Sequence, residues 1–276
     1  MIFMALFWGL PNILQTAEIA SALPLQGGAY RWYKESWGGF WGFQFGWLEW
    51  LSWMFEAALY PTLVAIYCVH FFFPEAGIYT TWCITLSVIW ISIVLNIRGI
   101  QTVGKWSTIL AWFQVLPVLW FIIIGVNHID LSFLSNLNIP ANTTTLEALT
   151  MALIFGLWNF SGYAGLATAA EEIEDTPTAY PKALLITLII SLVMYVVPLI
   201  IGISVDQNWS NWDEAQFNSA ALVLGGGAFA WWFMLAAQSS NFGLINSELI
   251  VLSRLIQAMS MDGFLPQALN KLHHKY

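Results

Sequence analysis

The sequence predicts an all-α integral membrane protein, and two observations carry that prediction. Of its 276 residues, 59% are hydrophobic and only 9% are charged, against roughly 25% charged in a soluble domain. A chain so poor in charge could not cover a surface that faces water. Its apolar residues also fall in blocks long enough to cross a bilayer as helices, which takes about 20 residues each.

Seven blocks qualify as spans, at about 1–23, 39–72, 78–97, 104–126, 148–172, 182–203 and 225–252. The polar connectors between them include LQGGAYRWYKESWGG, FFPEAG, NIRGIQ and DQNWSNWDEAQFN. A cytoplasmic helix is expected at about 257–271.

The first span opens at Met1 with no charged flank, and Glu18 near its inner end is read as structural or gate-proximal. The second, as one helix, would be about 50 Å long against a hydrocarbon core of roughly 30 Å, so it must tilt or extend beyond the core. It carries Glu49 and Glu56, seven residues apart and nearly eclipsed on one face. Glu49 reads as a structural residue near the inner interface. Glu56, deeper and beside Tyr60 and Pro61, reads either as a substrate-facing or proton-linked carboxylate or as a packed one. Spans three, four and six are plain apolar stretches.

The fifth span places Trp158, Asn159, Phe160, Ser161 and Gly162 in mid-membrane. Small and polar residues there release backbone groups from the helix ladder, which lipid tolerates only where protein or a cavity surrounds them. A helix broken at the midplane is how secondary transporters build binding sites; an ordinary helix with glycines packed on a neighbour is the alternative. The acids Glu171, Glu172, Glu174 and Asp175 at its inner end read mostly as a solvated face, with Glu172 as a candidate gate residue. In span seven, Glu248 lies less than two turns before Arg254 and is either a pathway carboxylate or half of an ion pair.

All eight Lys and Arg residues follow odd-numbered spans and so fall on one face. Because cytoplasmic loops retain basic residues, the N-terminus is expected outside and the C-terminus in the cytoplasm, in the plasma (cell inner) membrane. That orientation calls for an earlier span to deliver Met1 to the outside, and the chain is therefore expected to be a fragment of a longer transporter. No basic patch or phosphate-cradling loop points to nucleic acid. Cys68 and Cys83 sit inside apolar blocks, and the four histidines lack ligand spacing, so neither a disulfide framework nor a metal site is expected. No cofactor motif is present, and no nucleophile is paired with a base. Sequons occur at Asn142 and Asn208.

Segments 16–30 (TAEIASALPLQGGAY), 41–61 (WGFQFGWLEWLSWMFEAALYP), 96–105 (NIRGIQTVGK), 157–184 (LWNFSGYAGLATAAEEIEDTPTAYPKAL) and 253–269 (SRLIQAMSMDGFLPQAL) resemble the amino acid/polyamine/organocation permeases. The spacing around FEAALYP is most similar to polyamine-uptake permeases. The resemblance implies a fold of two inverted five-helix repeats with broken first and sixth helices, the seven spans matching helices two to eight of about twelve. It implies substrate contacts at Trp158, the unwound segment Asn159 to Gly162, Glu56, Tyr60 and Glu248, with Glu172 as a gate-proximal acid. Some proton-coupled relatives carry a lysine in the helix matching span four. Here Gln114 stands there, so coupling falls on carboxylates, on exchange, or on parts outside the chain.

The expected function is secondary transport of amino acids or polyamines by alternating access, with a small-molecule substrate and the bilayer as partners. A homo-oligomer is left open. Two rivals share features: a seven-helix receptor has the same topology, and a transport-incompetent remnant has the same fold. The 276-residue piece alone is expected not to transport.

Overall fold

The computed structural model describes residues 1–98, 100–136, 144–173, 175–207, 212 and 216–271. Both sequons, the acids Glu174, Asp213 and Glu214, and His273 and His274 lie outside them, as do the side chains of Glu171 and Glu172. Every regular element among the described residues is helical. In order they are α1 (Ile2–Met4), a π-helical turn (Ala5–Gly9), α2 (Leu10–Ala22), α3 (Ala29–Trp37), α4 (Gly39–Phe72), α5 (Ile78–Ile97), α6 (Ile100–Gly125), α7 (Thr145–Asn159), α8 (Thr176–Val205) and α9 (Gln216–Met261). Short 3-10 turns cover Val126–His128, Leu131–Asn136, Gly165–Glu172 and Gln267–Asn270.

Six of these stretches are long and apolar enough to cross a membrane: Ile2–Ala22, Gly39–Phe72, Ile78–Ile97, Gly104–His128, Thr176–Val205 and Gln216–Met261. With backbone polar groups satisfied inside each helix, such spans suit lipid. The chain is an integral, multi-pass, all-α membrane protein. The fifth predicted span is the exception, since α7 has only 15 residues and stops at Asn159.

The chain forms two compact units. The first contains Met1–Gln15, Phe113–Gly162 and Lys182–Ala236. Its core gathers Phe121, Ile201, Ala220, Ala221, Phe229 and Ala230. Gly125 lies directly under Ile201, leaving no room for a side chain. At the start of α7, Thr144 closes a capping box: its Oγ1 accepts from the Glu147 backbone N–H at 3.3 Å, and Glu147 Oε2 accepts from the Thr144 N–H at 2.8 Å.

The second unit contains Thr16–Trp112, Tyr163–Pro181 and Ala237–Tyr276. Here the short amphipathic α3 lies on a glycine stripe of α4. A Cβ at Gly42 would come within 2.8 Å of the Lys34 Cα, and one at Gly46 within 2.7 Å of the Tyr30 ring. Tyr30, Leu255, Ala258 and Met259 form the core beneath. Pro61 lies inside α4 and offers no N–H to the carbonyl of Ala57.

Two sequence boundaries differ from the structure for backbone reasons. Helix α9 begins nine residues before the predicted span and is interrupted at Gly226, whose φ of 78° and ψ of 179° are not helical. The predicted helix 257–271 does not form as one element. Instead α9 runs to Met261, Gly263 takes a φ of 79°, and after Pro266 the chain resumes in the 3-10 turn Gln267–Asn270. A positive φ ends a helix, and proline cannot continue its hydrogen-bond ladder.

Candidate functional site

Helix α4 places Glu49, Trp53, Glu56 and Tyr60 on one face, because steps of four, three and four residues return close to the same side of a helix. Tyr60 Oη donates to Glu56 Oε1 at 3.1 Å. Glu248 approaches the same hydroxyl from α9 and lies within electrostatic reach of Glu56. Glu248 is 3% exposed, and its Oε2 is buried with no hydrogen-bond partner among the described residues. Two carboxylates thus meet at one phenol inside the apolar part of the second unit. Burying such groups is costly unless they are paired or neutralised.

What aims Glu248 at α4 is a buried amide on the other side of α9. Asn246 lies two residues earlier, about 200° around the helix. Asn96 Nδ2 donates to Asn246 Oδ1 at 3.1 Å, and Asn246 Nδ2 reaches Ser92 Oγ at 3.4 Å and the Phe242 carbonyl at 2.6 Å. Polar groups satisfied between helices fix their rotation, so α5 and α9 are held in register.

The break after α7 belongs to the first unit. Asn159 Nδ2 donates to the Phe155 carbonyl at 2.8 Å, and Ser161 Oγ to the Trp158 carbonyl at 2.8 Å. The Trp158 carbonyl, which an unbroken helix would pair with the Gly162 N–H, accepts instead from the Ser161 N–H at 3.3 Å and from its hydroxyl. Gly162 then adopts a φ of 86°, which ordinary residues avoid. Phe160 is fully buried, edge-on to Tyr195 at 5.7 Å and against Gly9 in the π-helical turn. Trp158 is 48% exposed. Phe160 therefore anchors the break while Trp158 and Ser161 stand at its surface.

Glu56, Tyr60 and Glu248 are brought together; Trp158 to Gly162 form a separate group. Glu18 lies exposed on α2. Glu172 ends the 3-10 turn Gly165–Glu172, and a Cβ on its first residue would come within 3.0 Å of Trp53 and 3.5 Å of Val251.

A second polar centre was not singled out from the sequence. Asp262, just past the end of α9, accepts from Arg31 Nη1 and Lys34 Nζ, both at 2.7 Å, and from Tyr30 Oη. Burial raises the Asp262 pKa, but the bonds from Lys34 and Tyr30 and the charges of Arg31 and Lys34 outweigh it and hold the carboxyl below its ordinary value. Burial first, and then the bond to Asp262, push the Tyr30 phenol well above its usual value, so it remains a donor. Around this centre Gln26 Nε2 donates to Gln257 Oε1 at 2.7 Å, and the Gly27 N–H to the Thr168 carbonyl at 2.9 Å. The loop Gln26-Gly27-Gly28 is thereby tied both to α9 and to the 3-10 turn. The sequence signal for Asp262 was its place beside Gly263, a helix-ending pair after a long apolar span.

Comparisons with known proteins agree with this architecture. The Amino acid permease family model matches residues 1–276. The chain is 31% identical to Probable polyamine transporter At1g31830 of Arabidopsis thaliana, over 94% of this chain and 52% of that protein. It is 30% identical to Polyamine transporter PUT1 of Oryza sativa subsp. japonica, over 94% of this chain and 48% of that one. It is 27% identical to Large neutral amino acids transporter small subunit 2 of Rattus norvegicus, over 94% and 50%. The chain spans about half the length of the curated relatives it matches. A family match that runs from the first residue to the last, on a helical membrane framework with a broken span, places this chain in the amino acid permease family of the amino acid/polyamine/organocation superfamily.

Proposed function

We propose that this chain is the substrate-handling part of a secondary transporter that moves amino acids or polyamines by alternating access. The observation that carries the reading is the Glu56–Tyr60–Glu248 cluster. Tyr60 has one O–H to give and donates it to Glu56, and Glu248 Oε2 is buried with no hydrogen-bond partner among the described residues, so the Glu248 carboxylate keeps acceptor capacity that the phenol cannot fill. An ammonium group supplies three N–H donors and a positive charge, and so answers that deficit. The relatives' names point the same way, since polyamines carry several ammonium groups and amino acids one.

In this reading Glu56 and Glu248 receive the ammonium group and Tyr60 holds them apart. Trp158, Asn159, Phe160, Ser161 and Gly162 serve as the unwound segment that the family resemblance implies. Transport then requires that segment to rearrange, which a helix interrupted at Gly162 does more readily than a continuous one. The basic residues of α3 and the end of α9 face the cytoplasm of a cell with this protein in its plasma membrane, by the positive-inside rule. Coupling is to protons or to exchange of one substrate for another.

Equilibrium binding of a labelled diamine to the chain in lipid nanodiscs tests the assignment. Glu248→Gln is expected to weaken diamine binding by about tenfold or more, in line with loss of a charge-assisted hydrogen bond of about 1.5–3 kcal/mol. Trp158→Ala is expected to weaken it without abolishing membrane insertion. Unchanged diamine binding in Glu248→Gln would refute the role given to the cluster.

A further inference from the structure

Glu49 lies two turns before Glu56 on the same face of α4, and the substrate reading gives it nothing to do. Its Oε2 is buried and has no hydrogen-bond partner among the described residues. The hydrogen bond that Glu49 does receive comes from Trp53, one turn further along. With Oε2 unpaired, that bond falls on Oε1. The same indole has a second contact: its Cη2 and Cζ2 edge sits where a Cβ on Gly165 would be 3.0 Å away. Gly165 opens the 3-10 turn that follows the broken span. One side chain therefore touches both a carboxylate with a vacant oxygen and the segment beyond the break.

A carboxylate removed from water with one oxygen unpaired is expensive as an anion. Among the described residues no group of acidic, His or Cys side chains gathers on Glu49 to make a metal site, whereas a proton needs only that oxygen. Protonation also changes Oε1 from a charged to a neutral acceptor, and a bond from an indole N–H to a neutral carboxyl is weaker than one to a carboxylate. The Trp53 ring is then held less firmly over Gly165.

We propose that Glu49 is an intramembrane proton-binding site, and that its protonation state sets how firmly Trp53 clamps the segment beginning at Gly165. The link to a transport cycle rests on the transporter reading above; the proton site itself does not. Other titratable or charged groups occur on the elements packed with α4. On α3, Tyr30, Arg31 and Lys34 are engaged with Asp262. On α5 there are Tyr79 and Cys83, with Arg98 at its C-terminal cap. On α9 there are Glu248, beside Tyr60, and Arg254. On the 3-10 turn there are Glu171 and Glu172, and on α4 itself Glu56, Tyr60, Cys68 and His70.

The test is difference infrared spectroscopy of the full chain in lipid nanodiscs between about pH 8 and about pH 5. The parent chain is expected to gain a protonated-carboxyl C=O band that Glu49→Gln removes and Glu56→Gln retains. Trp53→Phe, which keeps an aromatic ring but loses the N–H, is expected to shift that band and serves if Glu49→Gln fails to fold. In a Leu166→Cys background with Cys68 and Cys83 replaced by Ser, thiol labelling is expected to quicken at the lower pH with Glu49 present and to be independent of pH with Gln. A band that persists in Glu49→Gln, a parent with no titrating carboxyl band, a band that Trp53→Phe leaves unmoved, or labelling that ignores pH in the Leu166→Cys chain with Glu49 intact would each overturn the proposal. Neither readout involves substrate, so failure of the diamine-binding test leaves this one standing, and the reverse also holds.

Discussion

Asp262 is the residue whose removal tests the packing account most directly. Its carboxylate collects three donors from α3, which lies 231 residues away in sequence from Asp262 at Arg31. Asp262→Ala removes two ion pairs whose basic partners keep part of their contact with solvent, each worth about 0.2–1 kcal/mol. It also leaves the O–H of Tyr30, a residue 0% exposed, without its acceptor, which costs about 1–3 kcal/mol. The total is about 1.4–5 kcal/mol. At about 2–4 °C per kcal/mol for a chain of this size, the unfolding midpoint should fall by roughly 3–20 °C. Asp262→Asn keeps an acceptor for Tyr30 and should lose no more than about half as much. Thermal unfolding of the purified chain in nanodiscs, followed by intrinsic fluorescence, measures both. If the alanine variant melts no lower than the asparagine variant, the account of Tyr30 as a buried donor is wrong. The pH dependence has a definite sign: because Asp262 is held below its ordinary pKa, its contribution is complete above the unfolded value of about 3.9. That contribution is lost as pH falls through the lower folded value.

Other perturbations have equally specific outcomes. Gly28→Ala forces a side chain onto a φ of 49° and within 2.8 Å of the Thr168 backbone nitrogen; a loss of about 1–3 kcal/mol is expected, read as faster proteolysis of the loop before α3. Asn246→Leu removes the amide that joins α9 to Ser92 and Asn96, with an expected loss of about 0.6–2 kcal/mol in a denaturant titration. Tyr60→Phe takes away the one O–H that Glu56 accepts and Glu248 approaches, and diamine binding should change by several-fold while a neutral, uncharged amide ligand is unaffected.

The helical membrane architecture was legible because hydropathy and length are local properties, and so was the stop at Asn159, whose cause is the run Asn159, Ser161, Gly162. The meeting of Glu56, Tyr60 and Glu248 was legible only in half: helical spacing aligns the first two, but nothing local brings Glu248 from α9. The Asp262 centre could not be read at all from periodicity, since its partners sit at the opposite end of the chain. Glu49 shows a related limit. Placement near the inner interface suggested a structural residue, whereas the buried oxygen depends on how Trp53 and its neighbours close over it.

The proline in α4 bears on mechanics. A helix resists bending because each turn is stapled to the next; where Pro61 stands, one staple is missing, one residue beyond Tyr60. The part of α4 toward Phe72 can lean there without breaking any bond. The glycine seam at Gly42 and Gly46, about four to five turns back, stays closed on α3 as it does. Helix α4 is thus a lever with its fulcrum beside the acidic cluster, its short arm toward Phe72 free to lean and its longer arm clamped on α3.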